Sequence, residues 1–576
     1  MSVRSIVIHG HFYQPPREDP WRDAVPAEPS AAPFHDWNER IERECYRAVV
    51  AARLYAPPPA GRITGIVNTL TSISFDFGAT LLQWLERQAP ATYAAVLEAD
   101  RLSRVRHDGH GNALAMPYHH AILPLASRRD KVTEVRWGIA DFRRRFGRDP
   151  AGMWLPETAV DPETLDILAA EGIAFTILAP PQVARAPMGG LPGFHRTSGG
   201  RSIALFVYDG AISHDVAFGP LLNNAAAWAE RLLSVGQERS GPQLVAVATD
   251  GETYGHHHRF GEVALAWLLR LLERQRGVRV ENFAAVLARY PPAQELQLVA
   301  PTSWSCPHGV ERWRADCGCR LAPERATQQR WRAPLREALE WLAGELHARF
   351  VREGAEPFGD PWATRDAYGA VVGSEGGRIA RFVAEHMRRP GDATAAVQAA
   401  ELLELERNAL RMFTSCGWFF DDIAGIEAVQ ILRYAARAIE LAGADAARLE
   451  TGVLERLARA ESNDPAAGTG RDVYLSRAKR RAPAEAPLAQ GSHARDPAEE
   501  TARELLRAVA ALEHDHSPRA TAAVTELAER VQRDGGHIPF DAQTIFYRIR
   551  AASPPERAAL LAPVAWRLGF ADGGDD

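Results

Sequence analysis

The first half of the chain alternates short apolar segments with longer segments that have helical spacing. The alternation extends from residue 1 to about residue 295. It is typical of βα units, in which each helix crosses back over a parallel sheet. The sequence therefore predicts an α/β region built on parallel strands. The candidate strands are residues 6–8, 65–67, 152–154, 175–178, 203–206 and 244–248.

Several of these segments end in polar or charged residues. In parallel sheets and barrels, the carboxyl ends of the strands meet at one edge, and ligands bind there. Residues that are distant in sequence can therefore converge on one site. The side chains to consider at this edge are those of His9, His11, Asn68, Glu157, Asp209 and Asp250.

The composition excludes several classes of function. The chain has 576 residues, and 67 basic against 73 acidic residues give a net charge of −6. With this balance we expect it to bind neither nucleic acid nor an anionic membrane surface, and no apolar run is long enough to span a bilayer. The two lysines of the chain, Lys131 and Lys479, do not lie in the Gly-Lys-Ser/Thr sequence of a phosphate-binding loop, so a nucleotide hydrolase with such a loop is excluded.

Beyond residue 320, helical spacing replaces the strand-like segments. Residues 296–460 are predicted to form a mostly helical domain. Residues 461–499 are rich in Ala, Pro, Gly and charged residues, which indicates a flexible connection. A last helical segment is predicted over residues 500–576.

Two segments with histidines are candidate parts of the site. After the first strand the sequence reads His-Gly-His-Phe-Tyr-Gln-Pro-Pro, so His9, His11 and Gln14 could bind substrate hydroxyls or orient a carboxylate. The alternative is that one histidine ends the strand and the other packs. In the pair His119 and His120, one ring is expected to face the site, and we favour His120.

Two further segments carry acidic residues. Trp154 and Glu157 follow one strand, where an aromatic ring can stack on a sugar while the carboxylate approaches the anomeric carbon; the alternative is a core tryptophan with a surface glutamate. Another strand delivers Asp250 to its end, with Glu252 beside it. The three histidines that follow could bind a transition metal, but neighbours on one loop cannot all point at one ion. Further candidate substrate contacts at this rim are Asp209 and His256.

Over residues 3–290 these segments, in this order, resemble glycoside hydrolase family 57. That family has a His/Gln-Pro motif on its first strand, a His-x-x-Leu-Pro-like segment, a Trp-x-x-Glu motif and an Asp-x-Glu motif. The resemblance implies a distorted (β/α)7 barrel that acts on α-glucans, with Glu157 as nucleophile and Asp250 as general acid/base. It also implies that the substrate site is lined by His11, His120, Trp154 and Glu252. The chain departs from the family motif in having Phe12 and Tyr13 inserted before Gln14.

Two later segments look like the subgroup whose barrel is followed by a helical domain of unknown function. They cover residues 303–319 and 413–422. We expect Trp304 and His308 to contact substrate from the barrel rim. Trp418 and Asp421 are expected to reach the site from the helical domain. Packing is the alternative for all four.

The cysteines allow a rival interpretation of the first of these segments. Cys306, His308, Cys317 and Cys319 supply enough ligands for tetrahedral zinc, although their spacing matches no common zinc finger and a Cys-x-Cys pair needs a turned backbone. We assign no cofactor on this pattern alone. The odd total of five cysteines favours a reducing compartment, and we expect a cytoplasmic location.

Two carboxylates on separate strand ends suit a retaining glycosidase. One ionised carboxylate attacks the anomeric carbon, and one protonated carboxyl releases the leaving oxygen. We expect histidines to keep Glu157 ionised, and apolar or acidic neighbours such as Glu252 to raise the pKa of Asp250. The predicted activity is hydrolysis or transfer of α-glucosidic bonds in an oligo- or polysaccharide. The alternatives are a metal-dependent polysaccharide deacetylase and a non-catalytic glucan-binding protein. The pattern leaves the oligomeric state open.

Overall fold

Parallel strands in the first half of the chain form a distorted barrel. The computed structural model describes residues 4–57, 59–236, 241–374, 376–479 and 497–571. In chain order its strands are β1 (Arg4–Phe12), β2 (Ala52–Tyr55), β3 (Ile63–Val67), β4 (Ser74–Phe77), β5 (Ala113–Leu114), β6 (Phe175–Leu178), β7 (Gly193–Arg196), β8 (Ser202–Val207), β9 (Gln243–Asp250) and β10 (Val278–Val280).

Within the described ranges, seven parallel positions follow one another around the barrel. They are β1, β4, β5, the bridged residues 152–153, β6, β8 and β9. Strand β9 pairs with β1 along its length, and the N–H of Asp209 donates to the carbonyl of Ala246 at 2.7 Å, which closes the ring between β8 and β9. The seven-membered barrel predicted from the family resemblance is therefore confirmed.

Alternate residues of each strand face the barrel interior and the surrounding helices. On β9, Leu244, Ala246 and Ala248 belong to the interior cluster, whereas Val245 and Val247 pack under the helices. Both faces are thus buried, as expected for a parallel sheet. Because the side-chain period is two, the inward row of β9 ends in Asp250, and that of β1 continues from Val7 to His9 and His11.

One predicted strand does not belong to the barrel. Residues 65–67 fall in β3, which pairs antiparallel with β2 in a separate two-stranded sheet. Asn68, considered as a strand-end ligand, instead caps the turn Thr69–Thr71 through the N–H of Leu70. The second barrel strand is β4, whose Phe75 and Phe77 face outward and whose Asp76 faces inward.

Helices cover the barrel on its outer side. The N-terminal half of the chain contains Trp37–Ile41, Arg47–Val49, Ala79–Gln88, Pro90–Arg106, Arg128–Phe146, Pro162–Ala170, Gly210–Ala217, Ala225–Ser234, Gly261–Glu273 and Phe283–Arg289. Many are capped as their sequences indicate. Ser127, for example, accepts from the N–H of Asp130 at the start of Arg128–Phe146, and Gly147 ends that helix in the left-handed conformation.

A second core holds the helical domain together. Its helices are Arg332–Phe358, Pro361–Tyr368, Gly376–His386, Ala393–Arg411, Cys416–Phe419, Ile426–Leu441, Ala446–Leu457 and Gly470–Val473. Ile122 and Ala159 from the barrel loops belong to the same cluster of buried side chains, so these loops pack into the core of the helical domain. None of the described helices is long and apolar enough to cross a membrane.

The expected flexible connection over residues 461–499 differs from the structure in its first part. Glu461 bridges to Thr469, a helix spans Gly470–Val473, and a π-helical turn spans Tyr474–Ala478. Val473 and Tyr474 are buried in the core of the helical domain. Their side chains anchor a segment that is otherwise rich in small residues. Residues 480–496 lie outside the described residues.

The last helices pack against the β2–β3 sheet. They are Pro497–Ala511, Pro518–Arg533, Phe540–Ala552, Pro555–Leu560 and Ala562–Arg567. Ile63 of β3 bridges to Phe570 and lies in their hydrophobic cluster. The guanidinium of Arg53 stacks on the ring of Phe540 and donates to its carbonyl at 2.8 Å.

Candidate active site

Strand register brings three titratable side chains into one row at the carboxyl end of the barrel. His11 on β1 lies directly opposite Asp76 on β4 and Asp250 on β9. Because residues at the same register point to the same face, all three side chains are directed toward the barrel axis. The sequence predicted the positions of His11 and Asp250 but not that of Asp76.

Asp76 binds both histidines of β1. Its Oδ2 accepts from Nδ1 of His11 at 2.8 Å, and its Oδ1 lies 3.1 Å from Nε2 of His9. Asp76 and His9 are completely buried, and His11 is 4% exposed. His9, predicted to bind substrate, is thus enclosed by protein and orients Asp76 instead.

The buried carboxylate keeps His11 positively charged. Burial alone would lower the pKa of His11, but Asp76, with Asp250 and Glu252 nearby, raises it to about 9. The pKa of His9 is lowered, chiefly by burial. His11 is therefore an imidazolium between the acidic side chains of Asp76 and Asp250, whereas His9 is neutral.

His120 lies next to His11 and is held by the helical domain. Its Nε2 is 3.1 Å from Nε2 of His11, and its Nδ1 is 2.7 Å from the hydroxyl of Ser415. Burial and the charge of His11 hold the pKa of His120 well below its usual range, so its Nε2 accepts from His11. The ring of Tyr13 stacks on it at 3.7 Å, and its backbone adopts φ 56°. Ser415 is a residue that the sequence did not single out.

Glu157 is held at the strand end in an unusual backbone conformation. It has φ 57°, in the left-handed region that costs a non-glycine residue about 1 to 3 kcal/mol. The N–H of Trp304 donates to its carbonyl at 2.9 Å, and the indole N–H of the same residue donates to its Oε2 at 3.0 Å. The hydroxyl of Ser305 also donates to Oε2. The expected histidine neighbours are therefore replaced by Trp304 and Ser305, because the histidines of β1 are already bound to Asp76.

Asp250 and Glu252 have raised pKa values. Asp250 is exposed at the rim of the site, and its pKa is raised to about 6 by the protein groups packed around its carboxyl group; His11 opposes this shift, and Glu157 and Asp76 add to it. Burial and Asp250 raise the pKa of Glu252 to about 7, although the hydrogen bond from Tyr46 lowers it. The pKa of Asp250 is raised, as predicted, but the acidic neighbours that contribute are Glu157 and Asp76 instead of Glu252.

Trp154 packs beneath the site instead of facing it. It is completely buried, and its ring stacks on His9 at 4.7 Å and on His11 at 5.2 Å. The aromatic ring available at the surface is that of Trp304, which is half-buried and meets Trp154 edge-on at 5.2 Å. The expectation that Trp154 itself stacks on a sugar is corrected, because the two histidines cover its face.

Five other predicted contacts are engaged in local structure. Asp209 caps the helix Gly210–Ala217 through the N–H of Ile212 at 2.9 Å. Trp418 is completely buried and donates to the carbonyl of Arg332, whereas Asp421 accepts from the backbone of Leu321 and Ala322. Both therefore stabilise the helical domain instead of reaching the site. Gln14 donates to the carbonyl of Tyr13, and His256 contacts Glu44.

One group of side chains has the arrangement of a metal site. The ligand atoms of Cys306, His308, Cys317 and Cys319 all lie within 4.8 Å of one another. His308 is thus directed toward the cysteines, not toward Glu157. Among the described residues, this cluster is the group of histidine, cysteine and acidic side chains whose ligand atoms are close enough to share an ion.

Comparison with known proteins agrees with the fold. Residues 44–298 match the family described as glycosyl hydrolase family 57, and residues 328–490 match a domain of unknown function. An exo-type maltose-forming amylase from Pyrococcus sp. ST04 superposes with a TM-score of 0.62 and 16% identity, covering 79% of this chain and 83% of that one. At this identity the likeness shows the barrel fold.

Two curated relatives match shorter segments. The 4-alpha-glucanotransferase of Thermococcus litoralis is 24% identical over 187 residues, which are 32% of this chain and 26% of that protein. Alpha-amylase 1 of Dictyoglomus thermophilum is 26% identical over 106 residues, 18% of this chain and 15% of that protein. The chain thus spans about a quarter or less of the length of these relatives. The barrel region is thus similar to glycoside hydrolase family 57.

Proposed function

We propose that the protein is a retaining enzyme that hydrolyses or transfers α-glucosidic bonds, with Glu157 as nucleophile and Asp250 as general acid/base. The observation that carries this proposal is the contrast between the two carboxyl groups. They interact electrostatically at one edge of the barrel, yet one accepts two hydrogen bonds while the other has a pKa of about 6. Nucleophilic attack requires an oriented carboxylate, and acid catalysis requires a carboxyl group that can hold a proton; these two groups differ in that way.

The contacts of Glu157 suit a nucleophile. Both hydrogen bonds end on Oε2, and no residue in the described ranges donates to Oε1. Hydrogen bonds from two donors fix the orientation of the carboxylate. Because the side chain is half-buried, Oε1 is the oxygen that can approach an anomeric carbon.

The surroundings of Asp250 suit a group that gives and takes a proton. Its carboxyl group protonates the leaving oxygen while Glu157 attacks, and the resulting carboxylate then deprotonates water or an acceptor hydroxyl. The positive charge of His11 stabilises that carboxylate. Glu252, with its pKa of about 7, stays partly neutral and limits the negative charge near the reacting sugar.

The choice of an α-glucan as substrate is supported by the relatives. Those matched in the barrel region are named alpha-amylase and 4-alpha-glucanotransferase. Hydrolysis and transfer use the same two carboxyl groups and differ in whether water or a sugar hydroxyl meets the glycosyl-enzyme. The thiol groups at residues 306, 317 and 319 support the reducing compartment expected for a cytoplasmic protein.

The roles can be separated with substrates of different leaving groups. The purified protein is incubated with maltoheptaose and with α-maltosyl fluoride, alongside the variants Glu157→Gln and Asp250→Ala. We expect Glu157→Gln to lose turnover of both. Asp250→Ala should lose about 10² to 10⁴-fold on maltoheptaose but much less in the first step on the fluoride, because fluoride leaves without a proton.

Matched controls and clear outcomes complete the test. Glu163→Gln changes a more exposed glutamate in the same region and should retain activity. Shorter oligomers alone mean hydrolysis, and a ladder extending in both directions means transfer. Turnover of Glu157→Gln within about tenfold of the parent would contradict its role as nucleophile, since covalent catalysis contributes far more. Sugar binding without turnover by the parent would favour the non-catalytic alternative.

A further inference from the structure

Three cysteines and one histidine converge beside the segment that contacts Glu157. The Sγ atom of Cys306 lies 4.0 Å from that of Cys317 and 3.8 Å from that of Cys319, and Nδ1 of His308 lies 3.6 Å from Sγ of Cys319. We propose that Cys306, His308, Cys317 and Cys319 bind one Zn²⁺ ion in a tetrahedral Cys3His site. The ligands come from two turns in a segment of fourteen residues, 306–319.

Three of the six distances between the ligand atoms match those of a zinc tetrahedron. With Zn–S bonds of about 2.3 Å and Zn–N bonds of about 2.0 Å, tetrahedral geometry places two sulfurs about 3.8 Å apart and a sulfur and a nitrogen about 3.5 Å apart. The three distances given above lie within half an ångström of these lengths, and all six lie within 4.8 Å. They are too long for a disulfide, whose sulfurs are about 2.05 Å apart.

The backbone is shaped to bring the ligands together. Gly318 has φ 83°, which supplies the turn that a Cys-x-Cys pair needs for both thiols to point at one ion. Gly309, directly after His308, has φ 88° and lies so close to the carbonyl of Pro301 that a Cβ would stand 2.7 Å from it.

The ligand set suits a zinc ion. Three thiols and one imidazole are the donors of a Cys3His zinc site, and a bound divalent ion deprotonates its thiol ligands. His308 is exposed, so exchange of the ion requires no opening of the core.

The zinc site also has a positioning role in the proposed mechanism, and this role rests on the proposed function. Cys306 follows Ser305 and Trp304, which donate to Glu157. Ser303 donates to the carbonyl of Gly309 at 2.7 Å, so the metal loop and the donors to Glu157 form one folded segment. Bound zinc therefore acts as a positioning group that keeps these donors on Glu157.

The first experiment measures metal in the full chain, purified without chelators. Elemental analysis is expected to give about one zinc per chain. After removal of zinc and addition of Co²⁺ to the reduced protein, we expect the intense visible bands of tetrahedral cobalt together with a near-ultraviolet thiolate-to-cobalt band. Less than about a tenth of an equivalent of zinc, before and after incubation with Zn²⁺, would overturn the proposal, as would a weak octahedral cobalt spectrum.

Variants show whether these residues are the ligands. Cys317→Ser and His308→Ala are expected to lose zinc in competition with a chromophoric chelator, and Cys317→Ser should weaken the thiolate band. Because His308 is exposed, its variant should keep the far-ultraviolet circular dichroism of the parent. Cys416→Ser, which alters a cysteine outside the cluster, should retain about one zinc. Retention of zinc by both ligand variants would refute the assignment.

Activity distinguishes failure of this inference from failure of the proposed function. Removing zinc is expected to lower kcat with little change in KM, and adding Zn²⁺ should restore it. A protein that holds zinc but turns over no glucan would contradict the proposed function alone. A protein that turns over glucan at full rate without zinc would contradict the positioning role.

Discussion

The charge of His11 gives a prediction whose size follows from the structure. Replacing Asp76 by Asn keeps the shape of the side chain but removes the carboxylate that holds the proton on His11. Each unit of pKa corresponds to about 1.4 kcal/mol. The rise in the pKa of His11 from 6.5 to about 9 therefore contributes about 3 kcal/mol to the free energy of unfolding.

The sign of the pH dependence follows from the direction of the shift. A histidine whose pKa is raised on folding contributes its full stabilisation below pH 6.5 and loses it as the pH rises through about 9. Asp76→Asn should therefore be most destabilising at pH 6. The difference from the parent should shrink by about 3 kcal/mol at pH 9.5, leaving about 1 kcal/mol for the altered hydrogen bonds.

Chemical denaturation at pH 6 and pH 9.5, followed by tryptophan fluorescence, measures this difference. Asp100→Asn is a matched control, since Asp100 is also buried but pairs with Arg148, whose charge is constant over this range. Its cost should be equal at the two pH values. If the cost of Asp76→Asn were also equal at both, the carboxylate would not be what holds the charge on His11.

Three further predictions concern the site and the helical domain. Trp304→Phe keeps the ring but removes the N–H donor to Glu157, so kcat should fall about 10 to 100-fold in steady-state assays, whereas an unchanged kcat would contradict the role of this bond. In the parent, kcat/KM should decline as the pH rises through about 6, because Asp250 must be protonated to act as an acid; a flat profile from pH 5 to pH 8 would refute this. Glu406→Gln should lower the free energy of unfolding by about 3 to 5 kcal/mol in urea titrations, because it removes the buried carboxylate that pairs with both Arg365 and His347; a loss below about 1 kcal/mol would mean that Asp130, the other carboxylate on Arg365, is a sufficient partner.

Local patterns allowed the parallel strands to be predicted from sequence, whereas the barrel was implied by the family resemblance. Runs such as residues 244–248 are apolar on both faces, which is typical of buried parallel strands, and the strand that contains this run ends at Asp250. Strand β3 shows the limit of this reasoning. Its short β-branched run has the composition of a barrel strand, but it pairs antiparallel with β2, and pairing depends on a partner that composition does not reveal.

The residues missed at the site share a physical cause. Asp76 lies in a four-residue strand and is recognised as important only once register places it opposite His11. Ser305 and Ser415 reach Glu157 and His120 across 148 and 295 residues of sequence. Such contacts have no local periodicity, so they cannot be predicted from one chain. Conversely, Trp418 is of a residue type that often contacts sugars, but it is buried, because an indole packs equally well in a helical core.

The contact between the last helices and the β2–β3 sheet has a consequence for how the chain is made. Arg53 and Phe540 meet although 487 residues separate them, so β2 and β3 leave the ribosome long before their covering helices exist. During that interval Ile63 and one edge of β3 are uncovered, a state in which strands pair with other chains. The barrel can assemble during synthesis, whereas this sheet is protected only when the final helices arrive. Shortening the chain before residue 497 would make that temporary exposure permanent.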